Sequence, residues 1–223
     1  MTFILNILHK DMSILAADTK AVADWPTISG FPARGKAVVH NQKKISMNES
    51  GQLAIGVAGF SEHNSYIREF EKSENISEGL SIIREHMERF LLVDNIASLI
   101  KTASPFVNEC IASFYDKSTH TYFTNEFEFN EFRNKTYLHR ASDGVKLFCA
   151  GSGRNHFDLE SGVKEVQSLV ASNDISCLQE ICIAWMENIF NMVSSKDESC
   201  GSEAIFAVSS RTNNEFKLIE RGC

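Results

Sequence analysis

The alternation of apolar and polar residues predicts β-hairpins at the beginning of the chain. Two β-favouring runs, 1–8 and 13–20, flank a short polar break at 9–12, which is typical of a strand, a turn and a returning strand. A second hairpin is predicted over 43–59. Its return strand, Leu53–Gly59, is apolar on both faces, which indicates burial on both sides.

Apolar residues recur every three or four positions in two later parts of the chain, which predicts helices there. One or two helices are predicted over 61–92, with Ser77 as an N-cap. Two more are predicted after residue 153, the second over 176–193. The predicted apolar face of that second helix contains Leu178, Ile181, Trp185, Ile189 and Met192.

The remaining apolar runs predict strands between and after the helices. They cover 107–115, 119–123, 145–150, 204–208 and 216–219. The Phe-rich stretch 125–134 predicts an edge strand with inward aromatics, and 21–42, with two of the three prolines, predicts a long irregular loop. Strands and helices in separate blocks favour sheets packed with helical layers over a βαβ parallel sheet.

Composition predicts one compact domain over 1–223 and excludes several function classes. The net charge is −7 and the basic residues are scattered, which argues against nucleic-acid and membrane partners. No apolar run approaches the roughly 20 residues of a membrane helix, so we expect a cytoplasmic protein. The six cysteines form no C-x-x-C pair, which predicts reduced thiols and no zinc site.

The first hairpin also carries candidate chemistry at its open end. With the turn centred on Lys10, antiparallel pairing predicts that Thr2 lies opposite Asp18. Removal of Met1 would give Thr2 a free α-amine beside its hydroxyl, so that one residue supplies both nucleophile and base. The alternative is an ordinary edge hairpin that happens to begin Met-Thr and to contain an Asp.

Four further motifs follow in a fixed order: Lys43-Lys44-Ile45, Val57-Ala58-Gly59, Gly151-Ser152-Gly153 and Asp197-Glu198-Ser199-Cys200-Gly201. Together with Thr2 and Asp18, these motifs give the whole chain a pattern that resembles the proteasome β-subunit family, the bacterial proteasome-like N-terminal nucleophile (Ntn) hydrolases. The resemblance implies an α+β fold, a four-layer αββα sandwich of two antiparallel sheets between helical layers. It implies no cofactor and no metal.

The resemblance also assigns a role to each matching residue. Thr2 would be the nucleophile, Lys44 would lower the pKa of its hydroxyl and amine, and Asp18 would hold the Lys44 ammonium. The Gly59 N–H would face the oxyanion. Ser152 and Asp197 would fix the N-terminal amine through hydrogen bonds.

Alternatives and departures accompany these assignments. Lys43 takes the place of Lys44 if the register slips by one, although strand alternation lets only one of them face Thr2 and favours Lys44. Gly151-Ser152-Gly153 could alternatively form an anion-binding nest at a helix N-terminus. The Lys or Thr that follows in a phosphate-binding loop is missing, which argues against this alternative. Cys200 stands where the family usually has Ser, and 21–42 is about ten residues longer than the family pattern implies.

These observations predict a threonine-type peptidase or amidase that acts within a self-compartmentalising homo-oligomeric ring or spiral. Its expected substrates are peptides or unfolded proteins, with an ATP-driven unfoldase as a candidate partner, and activation would depend on removal of Met1 alone. Two alternatives remain. One is a catalytically silent proteasome-like scaffold or binding module, motivated by Cys200 and the absent propeptide; the other is an Ntn amidase that acts on a small non-peptide amide.

Overall fold

The computed structural model describes residues 2–23, 37–39, 42–58, 64–92, 108–130 and 133–221. In chain order the strands are β1 Ile4–His9, β2 Met12–Asp18, β3 Ala21–Ala23, β4 Ala37–Val39, β5 Ile45–Met47, β6 Leu53–Ala58, β7 Asn108–Asp116, β8 Thr121–Asn130, β9 Arg133–Arg140, β10 Lys146–Ala150, β11 Ala204–Ser210 and β12 Asn213–Arg221. The α-helices are α1 Asn64–Glu71, α2 Ile76–Leu92, α3 Leu159–Ser172 and α4 Ile175–Ser194. A 3-10 turn covers Ser152–His156.

The described strands form two five-stranded antiparallel sheets and one short strand pair. The first sheet has the order β10-β1-β2-β11-β12, and the second has the order β5-β6-β7-β8-β9. Antiparallel sheets combined with helices make the fold a mixed α+β fold. Within the described ranges, no helix is long and apolar enough to cross a membrane.

Three apolar clusters stabilise this arrangement. In one, residues of β1 and β2 such as Leu5 and Ile14 pack against α3 and α4. A second cluster joins the two sheets, with Ile4 of β1 and Ile111 of β7 among its members. In the third, residues of β6, β7 and β8 pack against Tyr66 and other residues of α1 and α2. Because β6 belongs to the interior, its six residues are all buried, as its apolar pattern predicts.

The first hairpin forms with a register that differs by one residue from the predicted register. Ile4 lies opposite Ala17 and His9 opposite Met12, so the turn contains only Lys10 and Asp11. The Asp18 N–H donates to the Phe3 carbonyl at 3.1 Å. The prediction that Thr2 lies opposite Asp18 is therefore wrong, because a two-residue turn moves the pairing by one position.

Three other local predictions are also corrected. Of the Phe-rich stretch 125–134, residues 125–130 belong to β8, which is not an edge strand because β9 pairs along its outer side, and residues 131 and 132 lie outside the described residues. The irregular loop predicted over 21–42 begins and ends with a strand pair, β3 and β4, while its residues 24–36, 40 and 41 lie outside the described residues. Helix α2 begins at Ile76, so its cap is Asn75, whose Oδ1 accepts the Glu78 N–H at 2.9 Å, and not Ser77.

The buried face of α4 is rotated from the predicted one. Its fully buried residues are Leu178, Cys182, Ile183, Met186, Phe190 and Val193. Most of the predicted face, including Trp185 and Ile189, is only partly buried beside them. This helix is apolar over much of its circumference, so spacing alone does not fix which stripe faces the sheet.

Candidate active site

A buried ion pair lies at the open end of the first hairpin. Asp18 is the last residue of β2, and Lys44 directly precedes β5 of the other sheet. The Lys44 Nζ is 2.8 Å from Asp18 Oδ1, and the two side chains are 5% and 0% exposed. Neighbouring Lys43 points outward to Glu71 of α1, at 2.6 Å. The structure therefore places Lys44, and not Lys43, against Asp18.

Backbone groups from two distant parts of the chain complete the contacts of Asp18. Its Oδ1 accepts the Phe3 N–H at 2.8 Å, and its Oδ2 accepts the Gly201 N–H at 2.9 Å. Lys44 also donates to the Lys20 carbonyl. Burial lowers the pKa of Lys44, although the adjacent Asp18 carboxylate opposes this shift. These hydrogen bonds fix the Asp18 carboxylate against the backbone of Phe3, the residue that follows Thr2.

Thr2 is buried and lies against a tight turn that follows β10. The Gly153 N–H donates to the Thr2 carbonyl at 3.4 Å. A Cβ added to Gly151, whose φ is +83°, would lie 2.0 Å from that carbonyl oxygen, and one added to Gly153 would lie 2.6 Å from the Phe3 Cβ. Only glycine fits at both positions, so the Gly-Ser-Gly motif is explained by its close approach to the N-terminal strand.

A second polar group lies at the same end and is centred on Asp197. Its Oδ2 accepts from Ser152 Oγ at 3.1 Å and from Cys200 Sγ at 3.5 Å. Its Oδ1 accepts from the Ser199 N–H at 2.9 Å and from the Ser199 hydroxyl. Partial burial alone would raise the pKa of Asp197, but these donated hydrogen bonds lower it overall.

Cys200 contacts this group as a neutral thiol. Burial raises its pKa to about 12, with further contributions from the nearby Asp18 and Asp197 carboxylates. The thiol can therefore donate its proton to Asp197, although more weakly than a hydroxyl would. Because Gly201 follows directly, the turn 197–201 contacts both Asp18 and Ser152.

Five of the six predicted site residues are thus described at one end of the molecule. Asp18 contacts Lys44, and Ser152 contacts Asp197. Thr2 contacts the turn that carries Ser152. Gly59, the predicted oxyanion residue, lies outside the described residues, so its role stays a prediction.

One ion pair at this end, between buried Glu109 and exposed Arg154, is not predicted from the sequence. Glu109 of β7 accepts the Gly151 N–H at 2.6 Å and also accepts a hydrogen bond from Arg154. Both residues line a cavity of about 90 Å³. The sequence signal is weak: Glu109 is the one charged residue of the strand predicted over 107–115.

Comparisons with known proteins identify a similar fold. No family model matches the sequence, and a search among curated proteins finds no match. Among solved structures, the Gly-1 mutant of Anbu from Hyphomicrobium sp. strain MC1 is similar, with a TM-score of 0.57 and 12% identity. The match covers 99% of this chain and 87% of the Anbu chain. The fold is therefore similar to that of a bacterial proteasome-like protein, and at this identity the similarity concerns the fold alone.

Proposed function

We propose that this protein is a threonine-type peptidase or amidase whose nucleophile is Thr2 after removal of Met1. The observation that carries the proposal is the buried Lys44–Asp18 pair, which is hydrogen-bonded through Asp18 to the residue next to Thr2. Buried ion pairs cost free energy through desolvation, so they are a weak stabilising device. A pair of this kind beside an N-terminal Thr suits catalysis better than it suits stability.

The proposed reaction follows from these groups. The Thr2 hydroxyl oxygen attacks the carbonyl carbon of the substrate amide, and its proton passes to the α-amine of the same residue. The Lys44 ammonium favours the deprotonated forms of both groups. Proton return to the leaving amine breaks the C–N bond and leaves an ester on Thr2. Water then hydrolyses this ester and regenerates the hydroxyl.

The other predicted residues take supporting roles in the proposal. The hydrogen bonds of Ser152 and Asp197 hold the turn against which Thr2 lies, and the Gly59 N–H donates to the oxyanion. We further propose a single domain over 1–223 with a complete four-layer αββα sandwich, which the three apolar clusters support. A homo-oligomeric ring or spiral, peptide substrates and an ATP-driven unfoldase belong to the same hypothesis.

The test is intact-mass spectrometry of the full chain before and after incubation with an epoxyketone or β-lactone. The expected result is loss of Met1 and one adduct that peptide mapping places on Thr2. Thr2→Ala should give no adduct. The matched control is Thr19→Ala, which removes a buried threonine directly after the partner strand β2 and should keep the adduct. Equal labelling of Thr2→Ala in a chain with a verified N-terminus would falsify the mechanism.

A second candidate, the silent proteasome-like scaffold, is favoured by the Cys200–Asp197 contact. A thiol is a weaker hydrogen-bonding group than the serine hydroxyl that the family usually has there. This candidate predicts assembly without labelling, and a stoichiometric adduct on Thr2 rules it out. Under the leading proposal, Cys200→Ser strengthens the contact and increases the labelling rate. Substrate profiling with peptides and small amides separates peptidase activity from activity on a non-peptide amide.

A further inference from the structure

Glu109 is a buried carboxylate that reaches from one sheet to the other. It lies near the beginning of β7, in the second sheet, opposite Ala58 of β6. Its side chain contacts the Gly151 turn, which follows β10 of the first sheet. Only 9% of the side chain is exposed, whereas its partner Arg154 is 42% exposed. A carboxylate placed so deeply needs compensating donors, and the Gly151 N–H is one of them.

The Gly151 turn transmits this contact to the N-terminal strand. Its amide is bonded to Glu109 at 2.6 Å, and two residues later the Gly153 N–H donates to the Thr2 carbonyl. Between them, the Ser152 hydroxyl donates to Asp197. One carboxylate therefore anchors a three-residue turn that contacts both Thr2 and the Asp197 group.

The backbone of Glu109 also pairs with the end of β6. Ala58, the ladder partner of Glu109, directly precedes Gly59, which is the predicted oxyanion residue. Movement of Glu109 would therefore change the spacing between the turn behind Thr2 and the strand that leads to Gly59. Reaction rates depend strongly on such spacing, because a misplacement of about 1 Å can cost roughly 10²-fold in rate.

We propose that Glu109 is a positioning residue, which holds the Gly151–Gly153 turn against Thr2 and in register with the end of β6. Its catalytic consequence rests on the proposed role of Thr2 as nucleophile. The competing explanation is a purely structural ion pair with Arg154. The two explanations differ in what a neutral residue at position 109 does, because an amide oxygen still accepts the Gly151 N–H but forms no ion pair.

The experiment measures kinact and KI for labelling of Thr2 by an epoxyketone, in chains whose Met1 removal is verified. Glu109→Ala is expected to lower kinact on the order of 10²-fold with little change in KI, because the chemical step loses its geometry. Glu109→Gln is expected to recover most of kinact. The matched control is Glu126→Gln, which neutralises a carboxylate of the same cavity that bonds to His139 instead. It should keep the wild-type kinact.

Hydrogen exchange at the Gly151 and Gly153 amides supplies a second readout that does not need labelling. Glu109→Ala should lose protection at both amides, whereas Glu109→Gln should retain it. Wild-type kinact in Glu109→Ala, or equal losses in Glu109→Gln and Glu109→Ala, would overturn the positioning role. If the wild-type chain is not labelled at all, the nucleophile proposal fails, and unchanged protection in Glu109→Ala would then separately overturn the role of Glu109.

Discussion

The two ends of the β1–β2 hairpin each carry an ion pair, and the two pairs differ in how much of their side chains water reaches. At the open end, Asp18 and Lys44 are almost fully buried, and Asp18 accepts hydrogen bonds from two separate backbone segments. At the closed end, Lys10 pairs with Asp143 at 2.7 Å, and the two side chains are 45% and 89% exposed. The Asp18–Lys44 pair is withdrawn from water, whereas the Lys10–Asp143 pair stays hydrated.

This difference separates a candidate site from an ordinary strand connection. Hydrated pairs stabilise little, because water screens them and long side chains lose entropy in forming them. A buried pair costs more to form and is damaging to break, since one charge is left uncompensated. Removal of the interactions at the open end should therefore lower both the free energy of unfolding and the labelling rate of Thr2.

The largest expected effect comes from Lys44→Met. It leaves Asp18 buried without its cation, which costs about 3–5 kcal/mol in the free energy of unfolding. Labelling of Thr2 should also fall by roughly 10²–10³-fold, the usual cost of losing one electrostatic group at a reacting centre. Denaturant unfolding and probe kinetics measure the two effects.

The matched change at the closed end is Lys10→Met, which removes an exposed lysine from its carboxylate partner. We expect no measurable change in the unfolding midpoint and wild-type labelling, because the lost pair is hydrated. Equal effects of the two substitutions would remove the contrast between the ends.

The next effect in size comes from Gly151→Ala at the open end. The new Cβ would lie 2.0 Å from the Thr2 carbonyl oxygen at a φ of +83°, so the turn must move. Overpacking of this kind costs about 1–3 kcal/mol, and displacement of Thr2 should reduce labelling. Gly144→Ala is the control, since the nearest atom to its Cβ would be 3.7 Å away, and it should change neither quantity. Retention of wild-type labelling in Gly151→Ala would show that the turn does not position Thr2.

The sequence predicts the open end well where local periodicity determines the outcome. Alternation along a strand predicts that only one of Lys43 and Lys44 faces inward, and the structure has Lys44 inward. The exact pairing of Thr2 is not predictable in the same way. The turn residues Lys10 and Asp11 carry no glycine or asparagine signature, so the length of the turn, and with it the register, stays undetermined.

Other features are not predictable from the sequence because no local pattern indicates them. Strand β9 is an edge strand with few apolar residues, so hydrophobic periodicity does not reveal it. The Gly201–Asp18 bond joins residues far apart in sequence, and the Glu109–Gly151 bond joins the two sheets. Contacts of this kind follow from the packing of the sheets, which a single sequence does not specify.

The smallest expected effect returns to the closed end and concerns pH. His9 is 3% exposed, and its Nδ1 accepts the Asp11 N–H at 3.3 Å, a bond that requires an unprotonated nitrogen. Burial lowers the pKa of His9, and this outweighs the opposing effects of the Asp11 and Asp143 carboxylates, while Lys10 lowers it further. Between this lowered pKa and the unfolded value of about 6.5, the unfolded chain binds more protons, so stability rises with pH.

The contribution of His9 is therefore fully present above about pH 6.5 and is lost as the pH falls toward the lowered pKa. His9→Asn keeps an acceptor for the Asp11 N–H but does not titrate, so its stability should vary less between about pH 7 and 5 than that of the wild type. Chemical denaturation at several pH values measures both slopes. Parallel slopes would mean that the buried histidine does not control this dependence. Because His9 and Thr2 lie at opposite ends of the hairpin, labelling of Thr2 in His9→Asn should match the wild type.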